Sequence, residues 1–223
     1  MRGKLVKQDP NDEPASVLLE KIRAEKEKLI KKKKIKKSKP LPPITDDEKP
    51  FDIPDSWEWV RLGDIAKIGD IDHKMPKQTI DGIYPYISPK DFVKDGINYD
   101  NSKKISKEDF ELLSKKFLPQ THDLIFPRYG TIGKIREINV NFPLLVSYSC
   151  CLIRPNHLIN NNFVKYELRS CVTKREINRY INKSTQPNVG LRSIKRFLFP
   201  LPPLSEQSRI VDQILNLNKI IGE

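Results

Sequence analysis

The chain has 223 residues, 41 of them Lys or Arg and 29 Asp or Glu, a formal charge of +12 at neutral pH. That length has room for one sizeable domain plus appendages, and no apolar run reaches the length of a membrane span or a secretory signal. Cys150, Cys151 and Cys171 suit a reducing cytoplasm; the adjacent pair lacks the spacing of a zinc site, so each cysteine is read as a buried strand residue.

The charge is uneven. Glu20 to Lys39 holds eleven basic and three acidic residues, so this stretch alone carries +8. A polyanion such as DNA is an expected partner, although a lysine run such as Lys31 to Lys34 also serves as a solvated helix end. Pro14 suits the first turn of a helix from about Ala15 to the lysine block, with Leu18, Ile22 and Leu29 on one face. Pro40, Pro42 and Pro43 end it, and the acidic stretch to Pro54 reads as an extended linker lying on a surface.

From Trp57 the pattern changes to short β-prone runs between Gly, Pro and Asp turns. Tyr84–Ser88, Asp123–Phe126, Lys134–Ile138, Leu144–Tyr148 and Cys151–Arg154 are the predicted strands. Helices are predicted from Ser106 to Lys116, with Ser106 and Asp109 placed as in a capping box, and from Phe163 to Ile177. Strands and helices mix without strict alternation, which predicts an α+β domain with a curved mixed sheet. Trp57 and Trp59 are expected to anchor the linker by packing. Prolines 200, 202 and 203 are expected to stop the domain and Ser205 to cap a final helix. That helix carries a stripe of Ile210, Ile214, Leu217 and Ile221 that needs a partner. The expected divisions are an N-terminal segment and basic helix over 1–39, a linker over 40–53, a domain over 54–200 and the start of a helix over 201–223.

Four segments occur in a telling order: Ile53 to Asp64 (IPDSWEWVRLGD), Tyr84 to Asp91 (YPYISPKD), Asp123 to Lys134 (DLIFPRYGTIGK) and Pro202 to Gln207 (PPLSEQ). Together they resemble the DNA specificity subunit of type I restriction-modification systems, and the stretch from Gly3 to Glu20 and on through the lysine-rich helix is similar to the region that precedes a target recognition domain in that family. A full subunit carries two such domains separated by long helices. One is found here, so the resemblance implies a half subunit, a split-gene product or a truncated copy, flanked by partial amphipathic helices.

The resemblance implies a non-catalytic subunit that contacts the major groove over one half of a two-part site in double-stranded DNA. It implies a methyltransferase subunit as partner, through it a restriction and translocase subunit, and a second copy of the chain as a further candidate. Cofactors are expected on those partners, namely S-adenosylmethionine, ATP and Mg²⁺, with none in this chain. The helical residues Leu18, Ile22, Leu29, Ile210, Ile214, Leu217 and Ile221 are the candidate docking face.

Base edges are read by side chains with fixed donor and acceptor patterns, whereas cations on phosphates set position. In the loop from Pro127 to Lys134, Arg128 can donate two bonds to guanine, Tyr129 offers a flat face and a hydroxyl, and Thr131 and Lys134 complete the set. His73 to Thr79 contributes Lys74, Lys77 and Gln78, and the second motif contributes Ser88 and Lys90. Ser184 to Arg192 contributes Gln186 and Asn188, which suit adenine, and Arg192. Each loop also reads as an ordinary exposed turn. His122 and His157 are simplest as surface residues.

Enzyme readings fit less well. A methyltransferase would need a Gly-rich cofactor loop and an Asn-Pro-Pro-aromatic segment, of which Asn141 to Leu144 is a superficial echo. Asp55 with Asp72, His73 and Lys74 loosely mimics a Mg²⁺ nuclease. An inhibitor or decoy of a restriction complex is a further alternative.

Overall fold

A computed structural model of the chain describes residues 2–71, 75–77, 79, 81–94 and 96–222. Helix α1, Ala15–Lys31, forms where the sequence places Leu18 and Ile22 one turn apart, and it buries Ala15, Leu18, Leu19 and Ile22. Its end is a Schellman motif: the Lys34 N–H bonds the Leu29 carbonyl and the Lys33 N–H the Ile30 carbonyl, each at 2.9 Å. Lys33 takes the left-handed position at φ 56°, which a side chain adopts at a cost of roughly 1 kcal/mol.

There follow β1 (Glu58–Arg61), α2 (Leu62–Ile65), β2 (Ala66–Gly69), β3 (Tyr84–Ile87), β4 (Lys103–Ile105), α3 (Lys107–Ser114), β5 (Leu124–Pro127), β6 (Arg136–Glu137), β7 (Leu145–Val146), β8 (Cys150–Pro155), α4 (Asn161–Glu167), α5 (Cys171–Tyr180), α6 (Leu191–Arg196), β9 (Leu198–Leu201) and α7 (Leu204–Ile221). The architecture is α+β, with three small sheets in place of the one curved sheet expected: β1-β9, β2-β8-β5-β6 and β4-β3-β7. The chain divides into two compact units, one of Met1–Ala66, Pro155–Glu176 and Lys195–Glu223, the other of Lys67–Arg154 and Ile177–Ile194. Both terminal helices belong to the first unit.

In the first unit β1 and β9 pair antiparallel, Trp59 opposite Pro200 and Arg61 opposite Leu198. A strand thus runs through Pro200, one of the prolines expected to stop the domain. In a two-stranded ribbon each strand has an unpaired side, and a proline is tolerated on an edge. Buried Arg61 donates from Nε to the Pro42 carbonyl (3.2 Å) and from Nη2 to the Pro43 carbonyl (3.0 Å) and to Glu48 Oε2 (2.6 Å), so the stretch before β1 is held at these three residues.

Trp57 is a packing anchor, 3% exposed, and its Nε1 donates to Glu206 Oε2 at 2.8 Å. Glu206 Oε1 accepts from Gln8 Nε2 at 2.5 Å. The neighbouring Gln207 is fully buried, accepting from the Asn160 N–H (3.0 Å) and donating to the Pro202 carbonyl (2.9 Å). Two of the four motifs are thereby fastened to each other. Ser205 is not the cap, because α7 begins at Leu204 with Pro203 before it, which places Ser205 inside the first turn.

The second unit is layered. In β3 Tyr86 and Ile87 point to opposite faces, and so do Leu145 and Val146 opposite them in β7. Ile87 and Val146 join Ile125, Cys150 and Leu152 of the four-stranded sheet in one core cluster, while Tyr86 and Leu145 join Ile71, Ile105 and Leu113 of α3 in another. Sheet, sheet and helix are so stacked by the period-two pattern of short strands. Ser106 caps α3 as predicted, accepting from the Asp109 N–H at 3.2 Å. The helix predicted over Phe163 to Ile177 is two helices, because Ser170 bonds the Val172 N–H and restarts the chain as α5. Cys150 and Cys151 are buried in β8, and burial pushes the Cys150 thiol up to about 12, which keeps it protonated. Cys171 is exposed at the start of α5, contrary to expectation, because that residue begins a helix instead of lying in a strand.

Candidate nucleic-acid interface

The loop after β5 needs two left-handed residues to turn, and glycines supply both, Gly130 at φ 66° and Gly133 at φ 77°. The turn closes through the Gly133 N–H on the Pro127 carbonyl (3.2 Å) and the Lys134 N–H on the Thr131 carbonyl (3.2 Å). The loop is fixed on one side by the Arg128 N–H bonding the Ser149 carbonyl at 2.8 Å. On the other side the Val189 N–H bonds the Arg128 carbonyl at 3.0 Å, and Tyr129 forms a bridge with Asn188. Asn182 and Asn188 exchange backbone bonds of 2.8 and 3.2 Å, closing the second loop on itself. Two loops some sixty residues apart in sequence, each a candidate alone, are therefore one surface.

Arg128 does not face that surface. Its side chain is 5% exposed, and Nη2 reaches Asp70 Oδ2 and the Tyr148 carbonyl, each at 2.7 Å. The expectation that it pairs with guanine meets a guanidinium that is buried and held through Nη2, with Nε buried and without a hydrogen-bond partner among the described residues, so in this fold it holds the loop root instead of presenting its fork to the surface. Asp70 is itself buried and also accepts from Lys116 at 3.0 Å. Nothing in the sequence marked Asp70, because an isolated acid in a loop carries no motif.

Asn188 is corrected in part. It is half-buried and its amide donates within the loop to the Gln186 carbonyl at 3.1 Å. Ser88 is a structural cap, its hydroxyl and N–H both on Asp91 Oδ2, at 3.0 and 2.7 Å. Tyr129 is half-buried, with the Arg128 guanidinium 5.5 Å from its ring. Thr131, Lys134, Gln186 and Arg192 are exposed. Lys183, Ser184 and Thr185 are exposed beside them; sequence reading passed over these because polar turn residues are common everywhere. Lys77 and Lys90 are exposed; Lys74 and Gln78 lie outside the described residues, as do Asp72 and His73 of the nuclease alternative. His122 and His157 are on the surface as expected, near Glu137 (2.8 Å) and Glu25 (3.5 Å).

The candidate docking face is also revised. Leu18, Ile22 and Ile210 are buried within the first unit, Leu29 and Ile214 are half-buried, and Leu217 and Ile221 are exposed. The first turns of a helix that leaves a core pack on that core, so only the distal part of the stripe is open, together with Leu215 and Ile220.

The sequence matches the model of the type I restriction modification DNA specificity domain over residues 54–222. The chain belongs to this family. Among its relatives, the EcoAI specificity subunit of Escherichia coli is 34% identical over the whole chain, and the EcoEI specificity subunit of Escherichia coli is 29% identical over 99% of it. The chain spans 38% and 39% of those two subunits. The fold is similar to that of the HsdS subunit from Thermoanaerobacter tengcongensis, with a TM-score of 0.58 at 18% identity over 93% of this chain and 49% of that one. A chain from a structure of type I restriction-modification complex assembly gives a TM-score of 0.60 at 18% identity, over 93% of this chain and 50% of its own length. The specificity-domain match includes both the joined loops and the Trp57–Glu206 lock, so the motifs that carried the resemblance have distinct physical duties: two fasten the first unit, and one builds the loop root of the second.

Proposed function

We propose that this specificity domain reads one half of a bipartite site in double-stranded DNA and performs no chemistry itself. The observation that carries this reading is the joined surface of the loops after β5 and α5, where Thr131, Lys134, Gln186 and Arg192 are exposed on a root fixed by buried hydrogen bonds. Fixed backbones with polar and cationic side chains at their tips are what base reading requires, because the donors must stay in register with the base edges. Gln186 suits adenine and Arg192 guanine, while Lys134 and Lys77 suit phosphates.

Variants separate these roles. Gln186→Ala and Arg192→Ala are each expected to relax preference at one base pair by about 1–3 kcal/mol, measured by competition among duplexes differing at single positions. Lys134→Ala is expected to weaken binding to all sequences alike and to lower the slope of log K against log salt by about 1. Equal weakening of every duplex by the Gln186 and Arg192 variants would remove base reading from this surface.

The chemistry is assigned to partners: a methyltransferase subunit with S-adenosylmethionine, and through it an ATP- and Mg²⁺-dependent restriction and translocase subunit, in the cytoplasm. The exposed Leu217 and Ile221 on α7 support docking on the methyltransferase or on a second copy of the chain, since an apolar stripe is stabilised by burial. The double variant Leu217→Asp/Ile221→Asp is expected to stay folded and to lose co-purification with the methyltransferase and self-association. Ile210→Asp, placed in the core, is expected to unfold the chain. Retention of both assemblies by the folded double variant would exclude this face.

A further inference from the structure

The lysine segment between α1 and the linker is not used by the loop surface, and its chemistry is distinct. From Lys28 to Thr45 there is no acidic residue, and seven of the nine residues from Lys31 to Lys39 are lysines. Every residue from Lys31 to Lys39 is exposed, and none of these lysines has a side-chain hydrogen bond or ion pair among the described residues. Of the acids on α1, Glu25 is engaged with the Asn156 amide at 2.9 Å, and Glu27 is the one nearest the lysine run.

The segment is not a free tail. Upstream, α1 is fastened through Leu18, Leu19 and Ile22, and downstream Arg61 grips the Pro42 and Pro43 carbonyls. A short cationic span tethered at both ends loses less freedom on binding a polyanion than a dangling one. At its turn Lys33 occupies the left-handed position where glycine is favoured, so a charge stands where the backbone alone favours none.

We infer that Lys31 to Lys39 is a second, sequence-independent DNA contact, a phosphate clamp carried by the first unit while base reading is carried by the second. This rests on the proposed DNA-reading function. Strongly hydrated ammonium groups on flexible stems, without interleaved aromatics, suit phosphates and give no means of reading bases or stacking on them. Each phosphate neutralised releases counterions, and the contact is therefore visible as salt dependence.

The test uses the full chain with Lys31, Lys32, Lys34, Lys36, Lys37 and Lys39 all changed to Gln, and a random-sequence duplex as probe. The thermal midpoint stays within a degree or two, because the replaced side chains are exposed. The slope of log K against log salt falls by up to about 5, at about 0.9 per phosphate contact. The ratio of affinities for a preferred over a random duplex is unchanged. A second variant, Lys33→Gly, relieves the left-handed lysine, so it is expected to hold or raise the thermal midpoint while lowering the slope by about 1. An unchanged slope in the multiple variant overturns the inference, as does a loss confined to anionic phospholipid vesicles. If the parent chain shows no preference among duplexes yet the slope still falls, the reading function fails while the clamp stands.

Discussion

Arg128→Ala is expected to lower the unfolding free energy by about 3–5 kcal/mol and to weaken binding to every DNA sequence together. The side chains of Arg128 and Asp70 are each only 5% exposed, and removing one leaves the other charge in the interior with Lys116, which is half exposed, as its remaining partner. The Tyr148 carbonyl loses a donor as well. Because the Arg128 backbone carries the Ser149 and Val189 hydrogen bonds, disorder at its side chain reaches both loops at once. Urea denaturation and a panel of single-position duplexes check the two halves of the expectation. Replacing the pair together, Arg128→Met with Asp70→Leu, is expected to recover much of the stability, since the buried charge goes with its partner. A stable Arg128→Ala protein that loses preference at a single base pair would return Arg128 to the role of a base reader.

Glu206→Ala is expected to cost about 3 kcal/mol, because the buried Trp57 indole N–H loses its acceptor at about 1–3 kcal/mol and the partly buried Gln8 amide loses one at a smaller cost. Glu206→Gln separates hydrogen bonding from charge. Burial raises the Glu206 carboxyl above its ordinary 4.5, against the lowering influence of Gln8, Trp57 and Arg209. A carboxyl whose pKa is higher folded than unfolded binds its proton more tightly in the native state. Its contribution is therefore fully present below about 4.5 and is lost as pH rises through the raised value. The parent should lose stability over that interval, and the Gln variant, which keeps an acceptor for Trp57, should show a flatter profile there. Denaturant midpoints across the acid range decide it; parallel profiles would show that Glu206 is not titrating in this window.

The two expectations share a cause that bears on how the sequence is read. Local signals were sufficient where the outcome depends on neighbours along the chain. The Leu18 and Ile22 spacing defined α1, Ser106 marked the start of α3, and the β-branched and aromatic runs marked β3, β5 and β8. They failed where the partner lies far away. Glu58–Arg61 and Leu198–Leu201 are strands because each finds the other across more than a hundred residues, and Pro200 is accepted there because that ribbon leaves it an unpaired side. The distal half of the α7 stripe stayed exposed while Ile210 joined the core, a division that periodicity alone does not make.

The same holds for the surface proposed to read DNA. Residue types fixed its chemistry in advance: Gln, Arg, Lys and Thr in Gly- and Pro-punctuated loops, together with the motif order that places the chain in its family. By itself the sequence determined the α+β class, the family and the polar loops, since these follow from composition, short-range pattern and motif order. Only the tertiary structure decided that Arg128 turns inward to Asp70, that Tyr129 and Asn188 join two loops into one surface, and that Glu206 locks Trp57. An arginine has the same pattern whether it meets a base or a buried carboxylate, and the choice is made by which acid the folded backbone brings within 3 Å of it.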